Sequence, residues 1–116
     1  MGLLTRAQIL KAEDLQTEDV PVPEWGGTVR VRRMSGTERD AMTAGIKIVD
    51  GRPDTTRYQA RLLVHCLVDE GGKPAFSVED VEKLSDKSAV ALDRVFAVAD
   101  KLNAVSAKAV GTAEKN

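Results

Sequence analysis

An α+β fold, mainly α, with an N-terminal β-hairpin followed by a small bundle of about four helical segments, is the architecture this sequence encodes. Two patterns carry that expectation. Between residues 18 and 33, EDVPVPEWGGTVRVRR sets two extended runs on either side of Trp25-Gly26-Gly27, and glycines supply the positive φ that a tight hairpin turn requires. From residue 35 onward, apolar residues recur at helical spacing, and two tetrads of serine with an acid three residues later stand where helices should open. The length agrees, since 116 residues make one domain that buries roughly two-thirds of the surface its unfolded chain exposes.

Thr5 to Lys11 reads as a short helix, with Thr5 as N-cap and Gln8 three residues on to complete a capping box. The hairpin follows. Pro21 and Pro23 lie two apart, so their missing N–H groups point the same way, as on an edge strand. In the second run Val29 and Val31 share one face and Arg30 and Arg32 the other, the alternation of a half-buried strand. Ser35-Gly36-Thr37-Glu38 should open a helix through Met42 and Ile46 to about Val49, stopped by Asp50-Gly51-Arg52-Pro53. A second helix should run from Asp54 through Tyr58, Leu62 and Leu67. Its LLVHCLV stretch is apolar nearly all round, which predicts the central helix of the domain. Residues 69–74 form a turn, Ala75-Phe76 a short return, and Ser77 with Asp80 caps a brief helix to about Leu84.

The last helix, DKSAVALDRVFAVADKL from Asp86 to Leu102, is unusual for a surface helix. Its formal charges fall in adjacent pairs every seven residues, at 86/87, 93/94 and 100/101. At 3.6 residues per turn those pairs form one narrow stripe, and the remaining circumference is apolar. With Leu92 at a and Val95 at d, Phe96 falls at e and Val98 at g. One face packs on Leu62, Leu63 and Leu67, and the rest is a surplus apolar strip that a partner should cover. Residues 1–106 then make one domain, and 107–116, AKAVGTAEKN after Ser106, a flexible polar tail.

Composition narrows the function. The single cysteine, Cys66, cannot form an internal disulfide, so a reduced cytoplasm is the expected compartment. MGLLTRAQIL is interrupted by Arg6 and does not read as a targeting segment, and no apolar run approaches the roughly 20 residues that span a bilayer. A net charge of −1 removes the bulk electrostatic argument for nucleic acid or an anionic membrane. Residues 27–68 are nevertheless basic between two acidic flanks. Aromatic residues at 3% leave few stacking platforms for bases or cofactors.

No catalytic, cofactor or metal site emerges from the residues. His65-Cys66 is the only pairing of metal-type ligands, and zinc needs three or four. Neighbours on a helix point about 100° apart, which also argues against a Cys-His dyad. Carboxylates such as Glu79, Asp80 and Glu82 stand at helix starts, where the helix dipole favours them. Gly26-Gly27 and Gly71-Gly72 lack phosphate-loop spacing. Arg30, Arg32 and Arg33 on the hairpin are the one nucleic-acid candidate. Acidic residues 18, 19 and 24 lie opposite them, and charged edges also guard against aggregation.

The order of features, LLTRAQIL, then VPVPEWGGTVRVRRMSGTERDA, then LVDEGGKPAFS, then VEDVEKLSDKSAVALDRVFAVADKLN, resembles the tail assembly chaperones of long-tailed bacteriophages and prophages over about residues 3 to 106. The resemblance implies a non-enzymatic, cofactor-free protein of the bacterial host cytoplasm, absent from the mature virion. Its partner would be the helical tape-measure protein, kept soluble before the tail tube polymerises. The resemblance also implies self-association. It implies, further, a longer form made by programmed frameshifting that recruits tail-tube subunits. Glu114-Lys115-Asn116 can be encoded by a run on which two tRNAs re-pair one base back, which is compatible with such a form. The surplus strip supplies the candidate partner-binding residues, Val95, Phe96, Val98 and Leu102, with Phe96 as anchor. The alternatives are a small nucleic-acid-binding or regulatory module acting through Arg30, Arg32 and Arg33, and a minor structural protein of the tail.

Overall fold

The computed structural model describes residues 2–103, so the C-terminal tail and the Glu114-Lys115-Asn116 ending lie outside the described residues. In chain order the elements are α1 (Arg6–Lys11), β1 (Thr17–Val22), β2 (Gly27–Arg32), α2 (Gly36–Ala44), β3 (Ile48–Val49), β4 (Arg52–Pro53), α3 (Tyr58–Cys66), β5 (Leu67–Val68), α4 (Val81–Ser85) and α5 (Ala89–Asn103). The fold is α+β, with the N-terminal hairpin following the short α1 and preceding the four helices α2 to α5, as the sequence indicates.

All three capping tetrads close. Thr5 Oγ1 accepts the Gln8 N–H at 3.2 Å while Gln8 Oε1 accepts the Thr5 N–H at 2.8 Å. Ser35 and Glu38 repeat the exchange at 3.2 and 2.8 Å, and Asp80 takes the Ser77 N–H at 3.0 Å. Each box gives acceptors to backbone N–H groups that a helix start otherwise leaves open.

β1 and β2 pair antiparallel with Val20 opposite Val29 and Val22 opposite Gly27. A 3₁₀ turn at Pro23–Trp25 and Gly26, at φ 76°, join them. Pro21 sits on the edge strand, where it interrupts no ladder, and Pro23 opens the turn. Beyond the hairpin, the expectation of a helix continuing through Leu67 fails. Leu67 leaves α3 with extended backbone, and β5 pairs with Arg30 and Val31 to complete a three-stranded sheet in the order β1-β2-β5. A short apolar run suits a buried strand as well as a helix, and the free edge of β2 decides which forms.

Three helix boundaries also move. α2 ends at Ala44 instead of about Val49, because Ile48–Val49 turns back on Arg52–Pro53 in a tight hairpin. Asp50 and Gly51, at φ 52° and 76°, supply the two positive dihedrals such a turn needs. Asp54 does not start α3; its carboxylate takes the Thr56 N–H at 2.9 Å, and the helix begins at Tyr58. α5 begins at Ala89, where Ser88 Oγ accepts the Ala91 N–H at 3.3 Å. Asp86 and Lys87 therefore precede the helix, and its charged stripe holds two pairs instead of three.

The core lies between the inner face of the sheet (Val20, Val22, Val31), the central helix α3 (Leu62, Leu63, Cys66) and α5 (Val95, Ala99). Each fully buried Val or Leu contributes about 1.5–3 kcal/mol relative to exposure. α3 meets α2, α4 and α5, which is why its apolar residues continue round most of its circumference.

Candidate partner-binding surface

α5 is where the sequence places a surplus apolar face, and its neighbours decide how much of that face remains. α3 packs on one side of it and β1 and β2 on another. Val95 is fully buried and Leu102 nearly so, in one stripe with Ala91, Leu92 and Ala99. Those two residues belong to the chain's own core. Phe96 and Val98 lie at its margin, partly buried. The Phe96 ring stands edge-on to Tyr58, with centroids 5.9 Å apart and planes at 70°, a geometry that the ring quadrupoles favour. Apolar periodicity along α5 marked faces that require cover; it did not contain the hairpin that covers most of them.

The charged stripe is also engaged by the hairpin. Arg94 meets Glu24 in a two-pronged contact at 2.6 and 2.8 Å. Lys101 pairs with Glu18 at 2.9 Å, and Gln59 on α3 donates to Asp93 at 2.9 Å. The hydrogen bond from Arg94, with one from backbone N–H, holds the Glu24 carboxyl down at about 2. The pair is exposed, so water screens it and it orients more than it stabilises.

At the far end of α5, Arg33 Nε donates to the Leu102 carbonyl at 2.8 Å, a cation at a helix C-terminus, and Arg33 Nη2 donates to Gln16 at 3.1 Å. Asn103 completes the clamp. Its Oδ1 accepts the Met34 N–H at 2.7 Å, while its Nδ2 donates to the Ala99 carbonyl at 2.8 Å and to Cys66 Sγ at 3.5 Å. Arg30 is bidentate on Asp19 at 2.7 and 3.1 Å, and Arg32 bridges Glu38 at 2.7 Å and the Gly72 carbonyl at 3.1 Å. All three arginines weighed for nucleic acid are thus held by acceptors of this chain.

The His65-Cys66 pair carries no poised chemistry. Cys66 is buried, and burial pushes its thiol up to about 12 despite the Asn103 hydrogen bond; at neutral pH almost none is thiolate. Burial likewise lowers the His65 pKa. Among the described residues, no group of three or more His, Cys, Asp or Glu is placed to hold a metal ion, and no helix is long and apolar enough to cross a membrane.

Uncovered apolar side chains concentrate at the N-terminus, although Ile48, Val49, Val78 and, on α5 itself, Val90 are also exposed. α1 buries none of its side chains, and Ile9 and Leu10 are 56% and 67% exposed. Leu3 and Leu4 ahead of it are 100% and 67% exposed. A six-residue helix is too short to be stable in isolation. The signal was in LLTRAQIL: four large apolar residues on an element with no length to build its own core.

Comparison with known proteins brings these features under one description. A family model described as phage tail assembly chaperone matches residues 5–115. The solved structure of the bacteriophage HK97 tail assembly chaperone is similar in fold, with a TM-score of 0.54 and 24% identity, over 81% of this chain and 89% of that one. No curated protein matches the sequence.

Proposed function

The chain belongs to the phage tail assembly chaperone family, and from that premise we propose that it is a non-enzymatic factor that binds the helical tape-measure protein, keeps it soluble and promotes assembly of the tail tube. The exposed apolar row Leu3, Leu4, Ile9 and Leu10, on α1 and the residues just ahead of it, is the observation that carries this reading. Apolar side chains of a helical client would bury that row. Phe96 and Val98, half-covered on α5, are further candidate contacts, with Val95 and Leu102 behind them in the core. Action in the host cytoplasm, self-association, absence from the finished virion and a frameshifted longer form that recruits tube subunits belong to the same proposal.

Co-expression with the long helix-rich protein encoded downstream tests it. The client should remain in the soluble fraction and elute with this chain, and replacing Ile9 and Leu10 by Ser should return it to the pellet. A client that aggregates to the same extent with and without the chain, or detection of the chain in purified particles, would count against the reading.

A further inference from the structure

Between the hairpin turn and α4 lies a groove of about 220 Å³ lined by Trp25, Phe76, Leu84, Lys83 and Lys87. Its size is decisive: small-molecule sites run to about 300–1,000 Å³, whereas this one accommodates a single large side chain. The floor is apolar and the rim is cationic. Lys83 and Lys87 are both exposed, and neither takes part in any ion pair among the described residues. Glu82 and Asp86 neighbour them in sequence but do not line the groove. Trp25 holds its indole N–H out of water with no acceptor among the described residues.

We propose that this groove binds an acidic amphipathic helical segment of a partner protein, one apolar side chain seated against Trp25, Phe76 and Leu84, and carboxylates from the adjoining turns facing Lys83 and Lys87. Carboxylates three or four residues either side of the anchor share its helix face, so one short helix supplies both chemistries. No residue of α1 lines the groove, so the inference goes beyond the chaperone reading and does not require the partner to be the tape-measure protein.

Trp25 is the only tryptophan of the chain, so its emission reports on the groove directly. The full chain is titrated with a model helical peptide of about 15 residues carrying one Leu anchor flanked by Glu, with its Gln counterpart, and with a peptide of residues 3–15 of this chain. The acidic peptide should shift Trp25 emission saturably, lose affinity as salt is raised, and bind more tightly than the Gln form. The double variant Lys83→Glu, Lys87→Glu changes exposed side chains only, and should bind the acidic peptide about tenfold or more weakly with an unchanged circular dichroism spectrum. Equal binding of the Glu and Gln peptides, or no saturable shift with either, overturns the proposal without using any variant. Tighter binding of the 3–15 peptide overturns it in favour of a second copy as occupant. The two readings fail separately: a double variant that still solubilises the downstream protein yet loses the acidic peptide upholds the groove and places the chaperone contact elsewhere.

Discussion

Truncation of Phe96 separates a core role from a contact role. A fully buried Phe reduced to Ala costs about 3–5 kcal/mol. Phe96 is only partly covered, so roughly half of that, about 2 kcal/mol, is the expected loss. The edge-on contact with Tyr58 should supply about 0.5–1.5 kcal/mol of it, measurable as the coupling in a double-mutant cycle with Tyr58→Ala. Urea unfolding is the assay. With a slope of about 1.5 kcal/mol/M, the midpoint for Phe96→Ala should fall by roughly 1.3 M and the slope should not change. Co-elution with the client is then measured without denaturant, where the variant remains folded. A loss below about 0.5 kcal/mol with zero coupling would refute the packing argument. A folded variant that binds the client as the parent does would show that Phe96 serves the core alone.

Asn103→Ala removes the acceptor of the Met34 N–H and both donors at the end of α5. It should cost about 1–3 kcal/mol and speed hydrogen exchange at Met34; stability and exchange both unchanged would show that solvent replaces the amide. Glu24 tests the hairpin latch by pH. Its folded pKa is depressed from 4.5 to about 2, so its contribution is present above pH 4.5 and is lost as pH falls toward 2. Unfolding midpoints of the parent and of Glu24→Gln, compared across that window, should converge as the solution is acidified. Parallel pH profiles would mean that Arg94 does not favour the ionised form.

Local chemistry was legible in the sequence, and long-range pairing was not. The Thr5, Ser35 and Ser77 tetrads name their helix starts because both partners of each box lie within four residues. The alternation of Val29 and Val31 with Arg30 and Arg32 likewise identifies the strand and its buried face. By contrast, Leu67-Val68 becomes strand only because β2 offers a free edge more than thirty residues upstream. Asp50-Gly51 did carry a hairpin signal, and the preceding helical pattern outweighed it. The candidate surface suffered the same way. Val95 and Leu102 look available along α5 until β1 and β2 are placed against it, while the exposure of Ile9 and Leu10 is plain only once α1 is seen to bury none of its side chains.

The latch from Glu24 to Arg94 spans 70 residues of chain, and this separation sets a clock on synthesis. The hairpin can form as soon as it leaves the ribosome, yet α5, which covers its inner valines, comes last among the described elements. At about 5–20 residues per second, the delay is roughly 4–14 s. During it Val20, Val22 and Val31 have no final cover, and the nascent chain offers an apolar sheet face to whatever it meets. Slower synthesis between the turn and α5 lengthens that exposure in proportion.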